Sequence, residues 1–179
     1  MPKPAIAKET SATQALFRIH IRGALQDVWD EITRTDDVIP CFFNMRMHAA
    51  RLARGAPMQM RTKSGKYVGV VGEILEWDPP RRFAHTFRFT QMDDPPCKVS
   101  YELVPKDDGV EFTLRISELT PGTKSAKQMT QGAVMILNTL KAVIETGRPT
   151  LGTRALFALF ALLEPLTPKR CRVENWSDN

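Results

Sequence analysis

Between Ser125 and Gly147 the chain reads SAKQMTQGAVMILNTLKAVIETG, its one long segment with an unambiguous helical period. Met129, Ala133, Ile136, Leu137, Leu140 and Ile144 recur at three- and four-residue steps, and Lys127, Gln131, Asn138, Lys141 and Glu145 fall elsewhere. Ser125 and Gln128 have the spacing of a capping box. Gly147 can close the helix in a left-handed conformation, and Pro149 cannot continue it. At about 1.5 Å per residue such a helix is roughly 33 Å long. Nearly everything before it reads as strand. A single long helix that follows a sheet must lie across one face of that sheet to bury its apolar stripe.

The strands show themselves by alternation. From Ala15 to Arg22, Phe17, Ile19 and Ile21 oppose Arg18, His20 and Arg22, a half-buried strand. Leu25, Val28, Trp29 and Ile32 then take a helical period, and TDDVIPCFFN forms a second short helical or irregular piece that Asp36 or Asp37 could cap. Short strands follow in MRMHAARL, APMQMRTK and YVGVVGEILEW, with a bend or bulge expected at Gly69 and Gly72. RRFAHTFRFT places Phe83, His85, Phe87 and Phe89 on one face. KVSYELVP and VEFTLRISEL flank a KDDG turn and form a hairpin. The order is one strand, two short helices, about six antiparallel strands and a long helix. That is an α+β domain, a curved antiparallel sheet around one helix.

Length and composition fit a single soluble domain: 179 residues, 42% hydrophobic and 25% charged. The net charge of +5 is scattered except for Lys169, Arg170 and Arg172, with no dense basic stripe or aromatic platform, so no nucleic-acid partner is expected. Cys41, Cys97 and Cys171 are odd in number and far apart, which favours a reducing, cytoplasmic setting. Residues 1–13 lack a hydrophobic signal region and read as a flexible lead-in to a domain over 14–149, followed by an extension over 150–179.

Three separated motifs carry a family resemblance. GEILEWDPPRRFAHTFRF resembles the signature of the heat-shock protein 90 ATPase activator homologue-like proteins, of the START-like (SRPBCC) superfamily. IRGALQDVWDEITRTDDVIPCFF resembles that family's opening strand and first helices, and GAVMILNTLKAVIETGRP the end of its long helix. The resemblance covers about residues 14 to 150. It implies a helix-grip (START-like or Bet v-like) fold with a cavity between helix and sheet, but no single chemistry. Many relatives carry Gly-Trp near the helix start. Here Ala133 follows Gly132, which would enlarge the space beneath the helix.

The candidate site is that cavity. Phe42, Phe43, Met45, Met47, Met58, Met60, Phe87, Phe89 and Met129, with Ala133 and Met135, can line one apolar space, and Met adapts to irregular ligands. His85 and Tyr101 fall on inward faces and could bond a ligand or serve as acid–base groups. His20 falls on the solvent side, and no pair among His20, His48 and His85 has metal-ligand spacing. No phosphate loop or nucleophile elbow is present, and Cys41 reads as a small buried hydrophobe. The expected function is non-enzymatic binding of a small hydrophobic or lipid-like ligand, without cofactor or metal. The alternatives are a chaperone ATPase-activating domain, or a cyclase, dehydratase or hydrolase using the same cavity.

After Pro149 an apolar run from Ala155 to Leu163 ends at Glu164 and Pro165, far short of the ~20 residues needed to span a bilayer. A helix apolar all round needs cover. It can pack on its own domain, join a second copy in a homodimer, or lie on a membrane surface with Arg154 and the Lys169–Arg172 cluster near anionic headgroups.

Overall fold

The computed structural model describes residues 6–176. Nine strands form one antiparallel sheet: β1 (Ala7–Thr10), β2 (Ala15–Arg22), β3 (Val38–Ile39), β4 (Met45–His48), β5 (Pro57–Arg61), β6 (Val68–Asp78), β7 (Arg82–Phe89), β8 (Cys97–Lys106) and β9 (Gly109–Ser117). Their order across the sheet is β1-β2-β9-β8-β7-β6-β5-β4-β3, so the chain closes β2 onto β9 after a long meander. The KDDG hairpin forms as its sequence dictates: Lys106 faces Gly109 across a two-residue turn, with Asp107 in the left-handed region at φ 51°.

Two strands escape the alternation rule. β1 lies within the lead-in that the sequence led us to expect as flexible, and its four residues AKET pair with β2 although all are exposed. Residues 1–5 of that lead-in lie outside the described residues. β3 and a 3-10 turn at Pro40–Phe42 replace the expected second short helix, and Asp37 bonds the N–H of Val38 instead of capping one. Pro40 supplies no N–H for a helical ladder, so the segment pairs with β4 instead.

Both glycines of β6 accommodate the neighbouring strands, in different ways. Between Met60 and Arg61 the register skips Gly69, which is the extra residue of a bulge. Gly72 lies in regular pairing, but a Cβ there would collide with the Thr86 carbonyl of β7. A second irregularity falls between Ile74 and Glu76, at Leu75.

Helix α1 (Leu25–Thr33) buries Val28, Trp29 and Ile32, and Trp29 packs on Trp77 at 5.1 Å between ring centroids. The long helix α2 (Lys124–Thr146) crosses the concave face of the sheet. Its N-cap is Thr123, whose hydroxyl accepts the N–H of Ala126 at 3.1 Å, and not Ser125. Ser125 sits two residues further on, within the first turn, where its N–H is taken by the Asp94 carboxylate at 2.9 Å. At the other end Gly147 adopts φ 77° and donates to the Val143 carbonyl, as expected. Met129, Ala133, Leu137 and Leu140 are buried, the larger three worth about 1.5–3 kcal/mol each. Polar contacts fix the far end to β2: Lys141 donates to the His20 carbonyl at 2.6 Å, and Glu145 accepts the Arg22 N–H at 2.8 Å.

Beyond α2 the extension forms helix α3 (Leu151–Leu163) and three short 3-10 turns. Thr150 caps α3 by accepting the Thr153 N–H. The last turns return to the β5–β6 region. Cys171 is buried, Arg172 bridges to Tyr67, the Val173 N–H bonds the Lys66 carbonyl, and Gln59 donates to the Trp176 carbonyl at 2.6 Å. Arg170 forms a forked pair with Asp93, and the Trp176 indole donates to the Arg170 carbonyl while Arg88 lies 5.3 Å over its ring. Ser64 and Glu164 join the β5–β6 turn to the end of α3.

Candidate functional site: a cavity under the long helix

A cavity of about 630 Å³ lies between α2 and the sheet, within the range of small-molecule sites. Its floor comes from the inward residues of β4 to β9. Met47, Met58, Met60, Val70, Val99, Leu114 and Ile116 are all buried there. The strand pleat brings them together: alternate residues of each strand point to the same face, and antiparallel pairing sets Met47 opposite Met60.

Phe42, Phe43 and Asn44 form one wall. Phe43 and Asn44 both have φ near 57°, two consecutive non-glycine residues in the left-handed region. Such a conformation costs on the order of 1–3 kcal/mol per residue, and surrounding packing must hold it. Gly132 of α2 supplies part of that packing, because a Cβ there would lie 3.2 Å from the Phe43 ring. The missing side chain at 132 is therefore occupied by an aromatic ring from the facing turn. Ala133 does not line the cavity but is buried in the core beside it, so it does not widen the space in the way the sequence suggested.

The remaining sequence-derived candidates, Phe42, Phe43, Met45, Met47, Met58, Met60, His85, Phe87, Phe89, Tyr101 and Met129, all line this one cavity. Met135 of α2 does so as well. The mouth was not foreseen. Phe157, Phe160 and Ala161 of α3, with Glu164 and Thr167 beyond it, lie across the opening beside Thr62 and Lys63 of the β5–β6 turn. Phe157 is the one residue of α3 buried by this contact, and an all-apolar helix gives no pattern from which its inner face could be chosen. Its outer side stays open to solvent: Leu151 is 79% exposed and Leu162 75%. No described helix is long and apolar enough to cross a membrane.

Two polar side chains lie among the buried lining residues, His85 and Tyr101. The β7–β8 register pairs Phe83 with Tyr101 and His85 with Val99, so His85 and Tyr101 are diagonal neighbours. The Nδ1 of His85 donates to the Thr86 carbonyl at 2.8 Å, since a carbonyl can only accept. That fixes the proton on Nδ1 and leaves Nε2 as an acceptor, 3.4 Å from the Tyr101 hydroxyl. Burial pushes the His85 pKa down to about 4, against a smaller upward pull from the bond to Thr86. Burial likewise pushes the Tyr101 phenol well up. At neutral pH the pair is uncharged. Phe83 stacks on Tyr101 at 5.6 Å and packs on His85 at 5.2 Å, which holds both rings in place.

The other reactive groups do not line this cavity. Cys41, Cys97 and Cys171 are free and buried; burial raises the Cys41 thiol pKa strongly and that of Cys97 to about 11, so both stay protonated. His20 bonds Asp108 at 2.9 Å on the outer face, where the alternation places it, and His48 is exposed. Glu31 of α1 is buried with burial raising its pKa, although Arg34 lies 3.1 Å away and pulls it down. Among the described residues no cluster of His, Cys, Asp or Glu could hold a metal ion.

A curved antiparallel sheet gripping a long helix over an apolar cavity defines the helix-grip class. Residues 24–145 match the family described as Activator of Hsp90 ATPase homolog 1-like protein, and the chain belongs to that family. No curated protein matches it significantly. Solved structures share the fold at low identity. CalU16 from Micromonospora echinospora aligns with TM-score 0.62 and 19% identity over 87% of this chain and 91% of its own. The Aha1 dimer from Colwellia psychrerythraea aligns at 0.61 and 16% over 75% and 97%. DynU16, a protein of the dynemicin biosynthetic locus, aligns at 0.62 and 18% over 78% of this chain but 49% of its own.

Proposed function

We propose that this protein is a non-enzymatic binder of a small hydrophobic ligand held between α2 and the sheet. The carrying observation is the 630 Å³ cavity with a floor of Met, Val, Leu and Ile side chains. Such a void loses dispersion contacts on every side unless something fills it, and flexible Met side chains can adapt to an irregular guest. Catalysis is less well supported. A general base works best with a pKa near the operating pH, and His85 is held at about 4 with no carboxylate beside it. The experiment is a titration with Nile red, an uncharged apolar dye, on the full chain. One saturable site is expected, and Met58→Trp and Ile116→Trp, which fill the cavity, should abolish it while circular dichroism is preserved. Equal binding by both filled variants would refute the reading.

The outer face of α3 supports a second element of this reading, pairing with another copy of the chain. Leu151 and Leu162 of α3, with Leu166 of the 3-10 turn after it, are each more than 70% exposed, an apolar patch that a monomer leaves in water. The Colwellia relative is itself a dimer. Light scattering should report a dimeric mass that Leu162→Glu halves; a monomer that floats with anionic liposomes would assign the patch to a membrane surface instead.

A further inference from the structure

The cavity floor is apolar except at one place, and the chemistry of that place narrows what can bind. His85 and Tyr101 are buried to 3% and 5% exposure, whereas among the other polar lining groups Lys63, Gln91, Gln128 and Gln131 are exposed and Asn44, Thr62, Glu164 and Thr167 are half-buried. The Nδ1 proton of His85 is committed to the Thr86 carbonyl, so Nε2 offers a lone pair and nothing else. The Tyr101 hydroxyl has only that nitrogen as a partner among the described residues, at 3.4 Å, longer than a good O–H···N bond. The two atoms therefore present one acceptor and one hydroxyl to the cavity, each short of a well-formed hydrogen bond.

We propose that the ligand is an uncharged apolar molecule carrying a hydroxyl, a phenol or alcohol, inserted with that hydroxyl between His85 Nε2 and Tyr101 Oη. This rests on the cavity being a binding site, and it adds the head group and the orientation. A ligand hydroxyl donates to Nε2 and accepts from the Tyr101 hydroxyl, completing both groups at once. A carbonyl can satisfy Tyr101 but leaves the Nε2 lone pair facing another acceptor. A carboxylate fares worse. It would set negative charge against that lone pair, in an apolar floor with no cation, and desolvating an unpaired charge is very costly. Lys63 could pair with such a group only at the mouth, which would reverse the ligand.

A matched series tests this by displacement of Nile red from the full chain at pH 7.5: 4-octylphenol, octylbenzene and 4-octylbenzoate. In a purely apolar pocket the hydrocarbon binds best, because the phenol must give up its water. Here the phenol is expected to bind about tenfold tighter than octylbenzene, with the benzoate weakest. Tyr101→Phe keeps the stacked ring and should erase the phenol's advantage while leaving octylbenzene unchanged, and His85→Phe should do the same. If octylbenzene equals or exceeds the phenol on the wild-type chain, or if both variants keep the tenfold preference, the head-down hydroxyl is overturned and the pocket itself stands. If Nile red and all three compounds fail to bind, the binding reading falls and this inference with it.

Discussion

The buried histidine gives the fold a measurable dependence on acid. In the unfolded chain His85 takes up a proton at its ordinary pKa of 6.5, and in the folded chain only near 4. Between those values the unfolded state binds more protons, so stability rises with pH across the window. The contribution is fully present above about 6.5 and is lost as pH falls through 4. At about 1.4 kcal/mol per pH unit, the folded chain should lose about 2.5 kcal/mol between pH 7.5 and 4.5 from this group alone. Urea unfolding followed by the fluorescence of the packed Trp29–Trp77 pair measures it. Exposed carboxylates titrate in the same range, so the comparison is with His85→Gln, which shares every other group. The variant should be less sensitive to acid by about 2.5 kcal/mol, whatever it costs at pH 7.5. Parallel acid losses in both proteins would mean that His85 is solvated in the native state, and the account of the cavity floor would fail with it.

Three further outcomes follow from packing. Gly72→Ala should destabilise by more than about 2 kcal/mol in thermal unfolding, because the new methyl group meets the Thr86 carbonyl rather than a side chain that can move; a loss under 0.5 kcal/mol would show that β6 and β7 can spread. Native Cys41 and Cys97 should resist thiol reagents, whereas Cys171 should react faster once Arg170→Ala and Trp176→Ala release the terminal turns. Unchanged Cys171 labelling would mean that these contacts do not hold the segment. Phe157→Ala should speed Nile red release about tenfold with a smaller change in association, read by stopped flow; equal release rates would remove α3 from the exit path.

The sheet is legible in the sequence wherever one face is buried and the other wet. Phe17, Ile19 and Ile21 against Arg18 and Arg22 leave no second reading, and the same rule orders β7, β8 and β9. It fails for β1, whose four side chains are all exposed and which pairs with β2 through backbone bonds and the side-chain contacts Glu9–Arg18 and Lys8–Phe17. The apolar lining is legible as a set of inward positions, but not which of them face empty space: Val99 and Ile116 look the same as Leu103 and Phe112, which pack solidly. The polar pair is legible only by halves. His85 and Tyr101 each read as inward-facing, yet their meeting depends on strand register, and a two-residue slip along β7 and β8 would separate them. At the cavity wall the reading points to Ala133 when the neighbour that matters is Gly132, because the cause lies in the Phe43 ring of a distant turn. Helix α3 is the least legible element, since uniform hydrophobicity carries no direction.

That helix lies outside the span that matches the family, which ends at residue 145, yet it covers the mouth of the cavity. If the cavity holds a ligand as proposed, what it accepts and how long it keeps it are written in different parts of the chain. On the proposed binding reading, substitutions in β4 to β9 should alter selectivity and substitutions in residues 150–176 should alter residence time, with little overlap between the two sets. A lineage could lengthen or shorten the dwell of its ligand without redesigning the fit.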